Sequence, residues 1–317
     1  MKKISVVVPV YFEELILNEF YKRVFDVLNS LKNAQVIDYE LIFVNDGSTD
    51  RSGEILISLS KQNVRVRVIE LSRNFGHQNA ITAGIDHASG DCVLTMDGDL
   101  QDPPELIGKF ISLWESGYQV VYGQRIKRDG ESIFKLVTAK IFYRFLNSLS
   151  DLKIPVDVGD FRLMDRVVYE NLRCLREQDR YIRGLVAWMG FNQVALLYER
   201  DSRYAGETKF SIKKMFHFAM DGLTSFSVKP LYFSIYFGFL ISTLALLWGL
   251  AIVFSALMGN SSAVSGWPSI MVSVLFIGGI QLLSVGILGQ YIARIFSGTK
   301  SRPLYLIKNA VGFENIK

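Results

Sequence analysis

The sequence predicts an α/β protein with a mostly parallel, doubly wound sheet, followed by two transmembrane helices. Short apolar runs alternate with amphipathic segments from the amino terminus to residue 96, which is typical of parallel strands joined by right-handed helical crossovers. No Asp, Glu, Lys or Arg occurs between Lys229 and Arg294. That stretch is too long for one membrane span and fits two helices of about 20 to 25 residues joined by a turn.

The strands and helices of the sheet region follow from hydrophobic periodicity. Apolar, β-branched runs of strand length alternate with segments that have the period of an amphipathic helix. The predicted strands are residues 4–8, 40–44, 64–71, 91–96 and 119–122, and the predicted helices are residues 14–31, 51–61 and 78–87. In such a sheet ligands lie along the carboxyl ends of the strands, so the residues after each strand are the candidate site.

The charge-free stretch predicts transmembrane helices near residues 232–258 and 270–292, with a turn between them. A buried hairpin of a soluble core is the alternative, but globular helices of this length normally have a charged face. Basic residues flank the pair on both outer sides and are absent from the turn. The positive-inside rule therefore predicts an integral protein of the plasma (inner) membrane with both termini cytoplasmic. The first residues run directly into a strand and do not resemble a secretory signal.

Composition narrows the class of protein. The apolar fraction of 50% and the mean hydropathy of +0.23 are high for a soluble protein. The net charge of +4 suits an anionic membrane surface and phosphate ligands, and no nucleic-acid-binding motif is present. Cys92 and Cys174 are both predicted to be small core residues in a reducing compartment. His77, His87 and His217 lack a zinc-binding spacing, and no catalytic role is predicted for them.

An acidic turn follows the predicted strand 91–96. Asp97, Gly98 and Asp99 end the apolar run, and Gln101 comes two residues later. Mg²⁺ is usually held by one or two carboxylates together with substrate phosphates. Asp97, Asp99 and Gln101 are therefore predicted to form half of a divalent-cation site that a diphosphate would complete. A solvated turn is the alternative, because an isolated D-x-D pattern occurs by chance in many proteins.

Other strand ends have side chains suited to a nucleotide. Pro9, Tyr11 and Glu13 follow the first strand, and Asp46 follows the second. A carboxylate there can accept a hydrogen bond from a base or a ribose hydroxyl, and the Tyr11 ring offers a flat apolar surface. Helix capping is the competing role for the nearby Ser48 and Asp50, at least one of which is expected to cap the helix that begins near Arg51. No G-x-G-x-x-G or P-loop motif occurs, which argues against a dinucleotide fold or a P-loop NTPase.

Five segments, taken in order, resemble glycosyltransferase family 2. They are VVVPVYFEE, VNDGSTD, SRNFGHQNA, TMDGDLQDPPE and GDFRLMDR. Over essentially its whole length the chain is similar to the polyprenyl-phosphate branch of that family, which includes bactoprenol glucosyltransferases and is similar to dolichol-phosphate mannose synthase. The resemblance implies the GT-A fold, a divalent cation (Mg²⁺ or Mn²⁺) and inverting transfer of a hexose to polyprenyl (undecaprenyl) phosphate at the cytoplasmic membrane face. UDP-glucose is the favoured donor.

The resemblance also implies roles for individual residues. The donor nucleotide would be bound by Pro9, Tyr11, Glu13, Asp46 and Asp97, the metal by Asp99, Gln101 and Asp97, and the donor diphosphate by Arg203 and Lys209. Asp99 and Asp157 would be the catalytic carboxylates, with Asp157 acting as a base or an orienting group. Because guanidinium binds phosphate in a bidentate manner, Arg125 is the first choice for the acceptor phosphate, with Lys135 nearby. A structural ion pair between Asp160 and Arg162 is the alternative to a site role for that loop.

These expectations divide the chain into four parts. Residues 1–209 would form the catalytic domain with an interfacial amphipathic helix near 132–149, residues 210–229 a juxtamembrane helix, residues 230–293 the membrane region and residues 294–317 a cytoplasmic basic tail. Two spans form a thin anchor, which is compatible with a homo-oligomer.

Alternative functions stay open at the level of sequence. The same reaction with UDP-GlcNAc, UDP-galactose or GDP-mannose fits the same residues. A sugar nucleotidyltransferase fits less well, because it would have a glycine-rich phosphate loop after the first strand. A non-enzymatic flippase subunit would be expected to have ionisable residues in its spans, and here the charge-free stretch has none of Asp, Glu, Lys or Arg.

Overall fold

The computed structural model describes residues 1–126, 158–178, 180–199, 229–258 and 267–313. The described residues fall into two compact units. The first unit contains the residues up to 199 together with 302–313, and the second contains the long helices between them.

A sheet of eight strands forms the centre of the first unit, as far as the chain is described. The strands are β1 (Lys3–Val10), β2 (Asp38–Asn45), β3 (Val66–Leu71), β4 (Cys92–Thr95), β5 (Val120–Arg125), β6 (Val158–Asp165), β7 (Gln193–Tyr198) and β8 (Ile307–Val311). Their order is β7-β5-β6-β4-β1-β2-β3-β8. Strands β4, β1, β2 and β3 run parallel, as do β5 and β7. Strand β6 is antiparallel to β4 and β5, and β8 is antiparallel to β3. The predicted mostly parallel α/β sheet is confirmed.

Helices pack on this sheet. They are α1 (Leu17–Asn33), α2 (Ser52–Gln62), α3 (His77–Asp86), α4 (Ile107–Glu115), α5 (Arg166–Cys174) and α6 (Ile182–Trp188). In α1 the residues Phe20, Val24 and Leu28 recur every four positions, and each has 0% exposure. This helix begins three residues later than the predicted residue 14, because the Glu13 carbonyl accepts from the amides of Ile16 and Leu17 and closes a turn first.

Gly47 allows two strand-end loops to approach each other. It has φ of +70°, which favours glycine, and a Cβ built on it would lie 2.4 Å from the carbonyl carbon of Arg73. The turn after β2 therefore lies directly against the loop after β3. This contact brings the carboxyl ends of the two strands together.

The second unit contains two long helices, α7 (Lys229–Leu257) and α8 (Trp267–Thr299). Within α8, residues Val272–Thr299 are long and apolar enough to cross a membrane, with a mean hydropathy of 2.1. In α7 the apolar stretch found among the described residues is shorter, Ser234–Trp248. One helix of the described chain thus meets the criteria for a span, and a span in α7 stays a prediction.

The predicted basic tail at residues 294–317 contains a helix end and a strand where the chain is described. Helix α8 continues to Thr299, and β8 then joins the sheet beside β3, with Ile69 opposite Ala310. The Tyr305 hydroxyl donates to the Asp86 carboxylate at 2.8 Å, which fixes the segment before the strand. The strand β8 is short and lies among basic residues, so its sequence has little hydrophobic periodicity and does not predict a strand. Its pairing depends on the edge of the sheet that β3 provides.

The two cysteines have different environments, which corrects the prediction that both are core residues. Cys92 is buried in β4, whereas Cys174 is exposed at the end of α5. The buried face of α5 consists of Val168, Tyr169 and Leu172, and residue 174 lies off that face.

Candidate active site

Side chains of the predicted site lie at the carboxyl ends of the strands. Tyr11 and Phe12 follow β1, are 43% and 41% exposed, and contact each other edge to face with ring centroids 4.4 Å apart. Phe12 has φ of +57°, and its amide donates to Ser48 Oγ at 3.2 Å. The exposed Tyr11 ring is thus available to an aromatic ligand. Pro9 differs, because it is buried within β1 opposite Val44 and can reach a ligand only through its backbone.

Glu13 and Asp50 hold the loop after β1 against the start of α2. The Glu13 amide donates to Ser52 Oγ at 3.1 Å, and Glu13 itself is partly exposed. Asp50 Oδ1 accepts from the amide of Ser52, the first residue of α2, at 3.1 Å. The predicted capping by Ser48 or Asp50 is wrong in its details, because Arg51 occupies the N-cap position without a side-chain cap and Asp50 binds the Ser52 amide from one residue further out.

Asp46 is committed to shaping the loop after β3. It is 2% exposed, and its two carboxylate oxygens accept from the amides of Phe75 at 2.7 Å and Gly76 at 3.0 Å. Burial raises the pKa of Asp46 and outweighs these two hydrogen bonds, which lower it. A carboxylate has about four lone-pair sites, so a donor from a nucleotide can still be added to these two. Its predicted contact with the nucleotide stays a prediction.

The acidic turn has the expected place after β4. Asp97 and Asp99 are partly exposed, and Gln101 is 9% exposed. Asp99 Oδ1 accepts from the Gln101 amide at 3.1 Å, and Leu100 between them has φ of +58°. A leucine in the left-handed region costs about 1 kcal/mol or more and is maintained only when its surroundings fix it. Here the buried Leu100 side chain and the Asp99 bond hold the turn in one conformation.

The donor set of this turn fits a divalent cation only in part. Carboxylate and amide oxygens are the ligands that Mg²⁺ and similar hard cations prefer. Asp97 Oδ1 is buried and makes no hydrogen bond among the described residues, and it lies 3.4 Å from His77 Nε2, so a metal ion would bind this oxygen in competition with His77. In that part of the chain no group of three or more His, Cys, Asp or Glu side chains could hold a metal alone. The residues therefore fit a cation that also takes oxygens from a bound diphosphate.

A charged cluster that the sequence did not predict lies beside the turn. His77 Nε2 is 3.1 Å from Asp160 Oδ2 and 3.4 Å from Asp97 Oδ1. Arg183 donates from Nε to Asp160 Oδ1 at 2.8 Å and from a terminal nitrogen to Asp160 Oδ2 at 3.0 Å. Two cations and two carboxylates thus alternate at the end of β4.

The cluster has strongly shifted pKa values. Burial opposes the charge on His77, but Asp97 and Asp160 outweigh it and raise the pKa of His77 to about 9. Burial also disfavours ionised Asp160, yet Arg183 and His77 hold the pKa of that carboxyl well below its usual range. Burial raises the pKa of Asp97, against the opposing charge of His77. At neutral pH Asp160 stays ionised, so it is suited to positioning neighbouring cations and is a poor proton acceptor.

The contacts of His77 and Asp160 correct two predictions made from the sequence. His77 lies in the site although no role was predicted for it, and its place as the first residue of α3, after a strand end, was the available signal. Asp160 pairs with Arg183 and not with Arg162. Arg162 is 3% exposed, and burial lowers its pKa to about 10. The pairing with Arg183 depends on α6 packing near β6, which local sequence spacing does not reveal.

Arg125 ends β5 at the same edge of the sheet and is partly exposed. Its Nε donates to the Tyr198 hydroxyl at 3.4 Å. The other predicted site residues, Asp157, Lys135, Arg203 and Lys209, lie outside the described residues. The predicted interfacial helix at 132–149 also lies outside them, as does the predicted helix at 210–229 except for Lys229.

Comparisons with known proteins identify the family. The profile of "Glycosyl transferase family 2" matches residues 5–173. The chain is 49% identical to the uncharacterized glycosyltransferase YkcC of Bacillus subtilis (strain 168), over 98% of this chain and 95% of that protein. It is 42% identical to the bactoprenol glucosyl transferase of Shigella phage SfV, over 97% of this chain and 98% of that protein. It is 41% identical to the prophage bactoprenol glucosyl transferase homolog of Escherichia coli (strain K12), over 96% and 98%.

The mostly parallel sheet and the family match define the class of protein as a glycosyltransferase of the GT-A fold. The chain belongs to glycosyltransferase family 2.

Proposed function

We propose that this chain transfers a hexose, glucose from UDP-glucose as the first candidate, to polyprenyl (undecaprenyl) phosphate with inversion at the anomeric carbon. The observation that carries the proposal is the extent of the likeness to bactoprenol glucosyl transferases. At 41–42% identity it covers 96–97% of this chain and so includes both the sheet and the apolar helices. The product would be a polyprenyl-phosphate sugar for modification of cell-envelope glycans.

The proposed reaction is a direct displacement. An oxygen of the acceptor phosphate forms the new bond to the anomeric carbon while the bond from that carbon to the diphosphate breaks, and the electron pair leaves with the nucleoside diphosphate. The acceptor phosphate is already anionic near neutral pH, so the reaction needs no strong general base. Asp157 is accordingly proposed to orient the acceptor, with a role as a base as the alternative.

Donor binding would use the edge formed by β1, β2 and β4. The exposed Tyr11 ring offers a stacking surface, and Asp46 with the partly exposed Glu13 offers carboxylate acceptors for the nucleoside. Asp97, Asp99 and Gln101 would hold a divalent cation, Mg²⁺ or Mn²⁺. When bound, the cation would stabilise the negative charge that develops on the departing diphosphate. Arg203 and Lys209 are proposed to add positive charge to the same diphosphate.

Acceptor binding would use Arg125, because its guanidinium lies at the same edge and binds phosphate in a bidentate manner. Lys135 is proposed as a second cation for this phosphate. The apolar helices α7 and α8 would place the site at the cytoplasmic face of the plasma membrane, where the lipid phosphate is exposed. Nucleic acid has no part in the proposal.

A donor panel tests the proposal directly. Purified protein is incubated with undecaprenyl phosphate and, separately, UDP-glucose, UDP-GlcNAc, UDP-galactose and GDP-mannose, and the lipid product is identified by mass spectrometry. We expect undecaprenyl-phosphate glucose as the product from UDP-glucose. Transfer from only one of the other donors would show that glucose is the wrong sugar in the proposal. The absence of transfer from every donor would contradict the proposed function.

The metal proposal is tested with Asp99→Asn. The variant should lose at least about a hundredfold in transfer, since a lost charge contact in the transition state costs about 3 kcal/mol. Asp26→Asn, on the exposed face of α1, is the matched control and should keep full activity. Chelation should abolish transfer by the wild type, and Mg²⁺ or Mn²⁺ should restore it. Undiminished transfer by the Asp99 variant would remove that residue from the metal site.

A further inference from the structure

Arg125 depends on its neighbours for its position. Its side chain extends over Gly159 of β6, where a Cβ built on the glycine would lie 2.8 Å from a terminal guanidinium nitrogen. The hydrogen bond from its Nε to the Tyr198 hydroxyl is long, at 3.4 Å. Arg125 is therefore bounded by the β6 backbone and by the phenol.

Tyr198 is held rigidly in the sheet. It is the last residue of β7, lies opposite Arg125 in the parallel register with β5, and is 4% exposed. Its ring contacts Phe161 edge to face, with centroids 5.9 Å apart. Its Cε1 would lie 2.9 Å from a Cβ at Gly123, so the absence of a side chain at that position makes room for the ring.

The phenol proton is committed to a carboxylate. The Tyr198 hydroxyl donates to Asp102 Oδ1 at 2.5 Å, and Asp102 has 0% exposure. Burial and the adjacent Asp102 raise the pKa of Tyr198, so the phenol stays protonated and continues to donate. A hydroxyl has one proton, and with that proton directed at Asp102 its lone pairs are presented to Arg125.

We infer that Asp102 and Tyr198 are positioning residues for Arg125. Together they orient its guanidinium toward the acceptor phosphate and connect it to the acidic turn, since Asp102 follows Gln101 directly. The inference rests on the proposed function, in which Arg125 binds that phosphate. Because the Asp102 carboxylate can only accept, the Tyr198 hydroxyl donates to Asp102 and accepts from Arg125.

The principal test is Tyr198→Phe, which keeps the ring and removes the hydroxyl. Initial rates are measured against undecaprenyl phosphate and against the donor separately. The loss of this one long and therefore weak hydrogen bond predicts a rise of about three- to tenfold in KM for undecaprenyl phosphate, with the donor KM unchanged. A purely structural role would instead lower the melting temperature and leave the ratio of the two KM values as it was.

Tyr169→Phe is the matched control. Tyr169 is also buried, and its hydroxyl donates to the Gly90 carbonyl at 2.6 Å, with no contact to Arg125. It should lower the melting temperature without changing the acceptor KM. Gly159→Ala is a second variant, because its new methyl group would come within 2.8 Å of the flexible end of Arg125 but only within ordinary contact distance, 3.8 Å, of the Phe161 amide nitrogen. It should raise the acceptor KM in a folded protein.

A double substitution separates the inference from the proposed function. Arg125→Ala should raise the acceptor KM, and adding Tyr198→Phe to it should cause no further rise, because the phenol acts through the arginine. If Arg125→Ala leaves the acceptor KM unchanged, the proposed acceptor site is wrong. If Arg125→Ala raises it while Tyr198→Phe does not, or if the two effects multiply fully, the positioning role is overturned and the acceptor site stands.

Discussion

Asp160 illustrates how a single residue organises the charged cluster. Its side chain is 5% exposed and accepts from both sides, with Arg183 on one side and His77 and Gln78 on the other. A buried carboxylate is tolerated only when its charge and its lone pairs are matched in this way. The planar guanidinium of Arg183 donates two of these hydrogen bonds to Asp160 at once. Its remaining terminal nitrogen donates to the Val158 carbonyl.

Arg183→Met should therefore destabilise the protein. It removes the main counter-charge of Asp160 and should lower the free energy of unfolding by about 3 kcal/mol, which corresponds to a fall of roughly 10 °C in melting temperature. Arg51→Met is the control, because Arg51 and its partner Glu54 are 80% and 79% exposed and their pair should contribute less than about 1 kcal/mol. Equal melting temperatures for the two variants would contradict the role of Arg183.

Residues of the site differ in how far sequence could predict them. Asp97 and Asp99 were predicted because a strand and the turn that ends it are adjacent in the chain. His77 was missed because its meaning depends on Asp160, which lies 83 positions away. Arg183 approaches Asp160 from α6, and no periodicity within either segment encodes that contact.

At the scale of elements, the strands are tied together at the edge opposite the site. Glu40 of β2 is 2% exposed and accepts from Lys3 of β1 at 2.8 Å and from Arg67 of β3 at 2.9 Å. Ser5 Oγ donates to it at 2.5 Å and the Ser89 amide at 2.7 Å. One carboxylate thus joins three neighbouring strands and the loop before β4.

Glu40 should make stability depend on pH in a defined direction. Burial raises its pKa, but Lys3, Ser5, Ser89 and Arg67 outweigh it, so the folded pKa lies below the unfolded value of about 4.3. The stabilisation is then fully present above that unfolded value and is lost as the pH falls through the folded pKa. Glu40→Gln should lower the free energy of unfolding by about 2 kcal/mol at pH 7, and the difference should shrink below about pH 4.

Melting curves of wild type and variant across this pH range measure the effect. Glu54→Gln, on the exposed face of α2, serves as the control and should match the wild type at every pH. A difference for Glu40→Gln that stays constant from pH 7 to the acid limit would contradict the sign of the shift.

Strands β1 to β4 follow from the sequence because each is a local apolar run with a helix between it and the next. Strands β6 and β8 do not, since their antiparallel insertion depends on edges that other elements create. The segment GDFRLMDR stands out as a motif in the sequence, but its position as β6 between β4 and β5 depends on tertiary contacts.

For the whole molecule, β8 constrains how the chain can cross a membrane. Residues up to 199 and residues 302–313 belong to the same compact unit, and α7 and α8 lie between them in sequence. A folded unit remains on one side of a bilayer, so the intervening chain must cross an even number of times. If the apolar stretch Val272–Thr299 of α8 crosses, then another segment must cross back.

Among the described residues, helix α7 is long enough to do so. It has 29 residues, about 44 Å at the usual rise, against a hydrocarbon core of about 30 Å. The sequence has no charged side chain between Lys229, the first residue of α7, and Arg294, near the end of α8. The parts of both helices between these two residues can therefore enter lipid without burying a charge. The prediction of two spans therefore gains support from the pairing of β8 with β3 in addition to hydropathy.

Cysteine labelling in intact cells tests this topology. Cys92 is buried and Cys174 is exposed, so the native chain has one reactive cysteine among its described residues, in the unit that should face the cytoplasm. A membrane-impermeant maleimide should label Ser262→Cys, between the two helices, from outside the cell, and should reach Cys174 only after permeabilisation. The variant Cys174→Ser with Ser262→Cys isolates the outer label. Labelling of both positions from the same side would mean that α7 does not cross the membrane, and the prediction of two spans would be wrong.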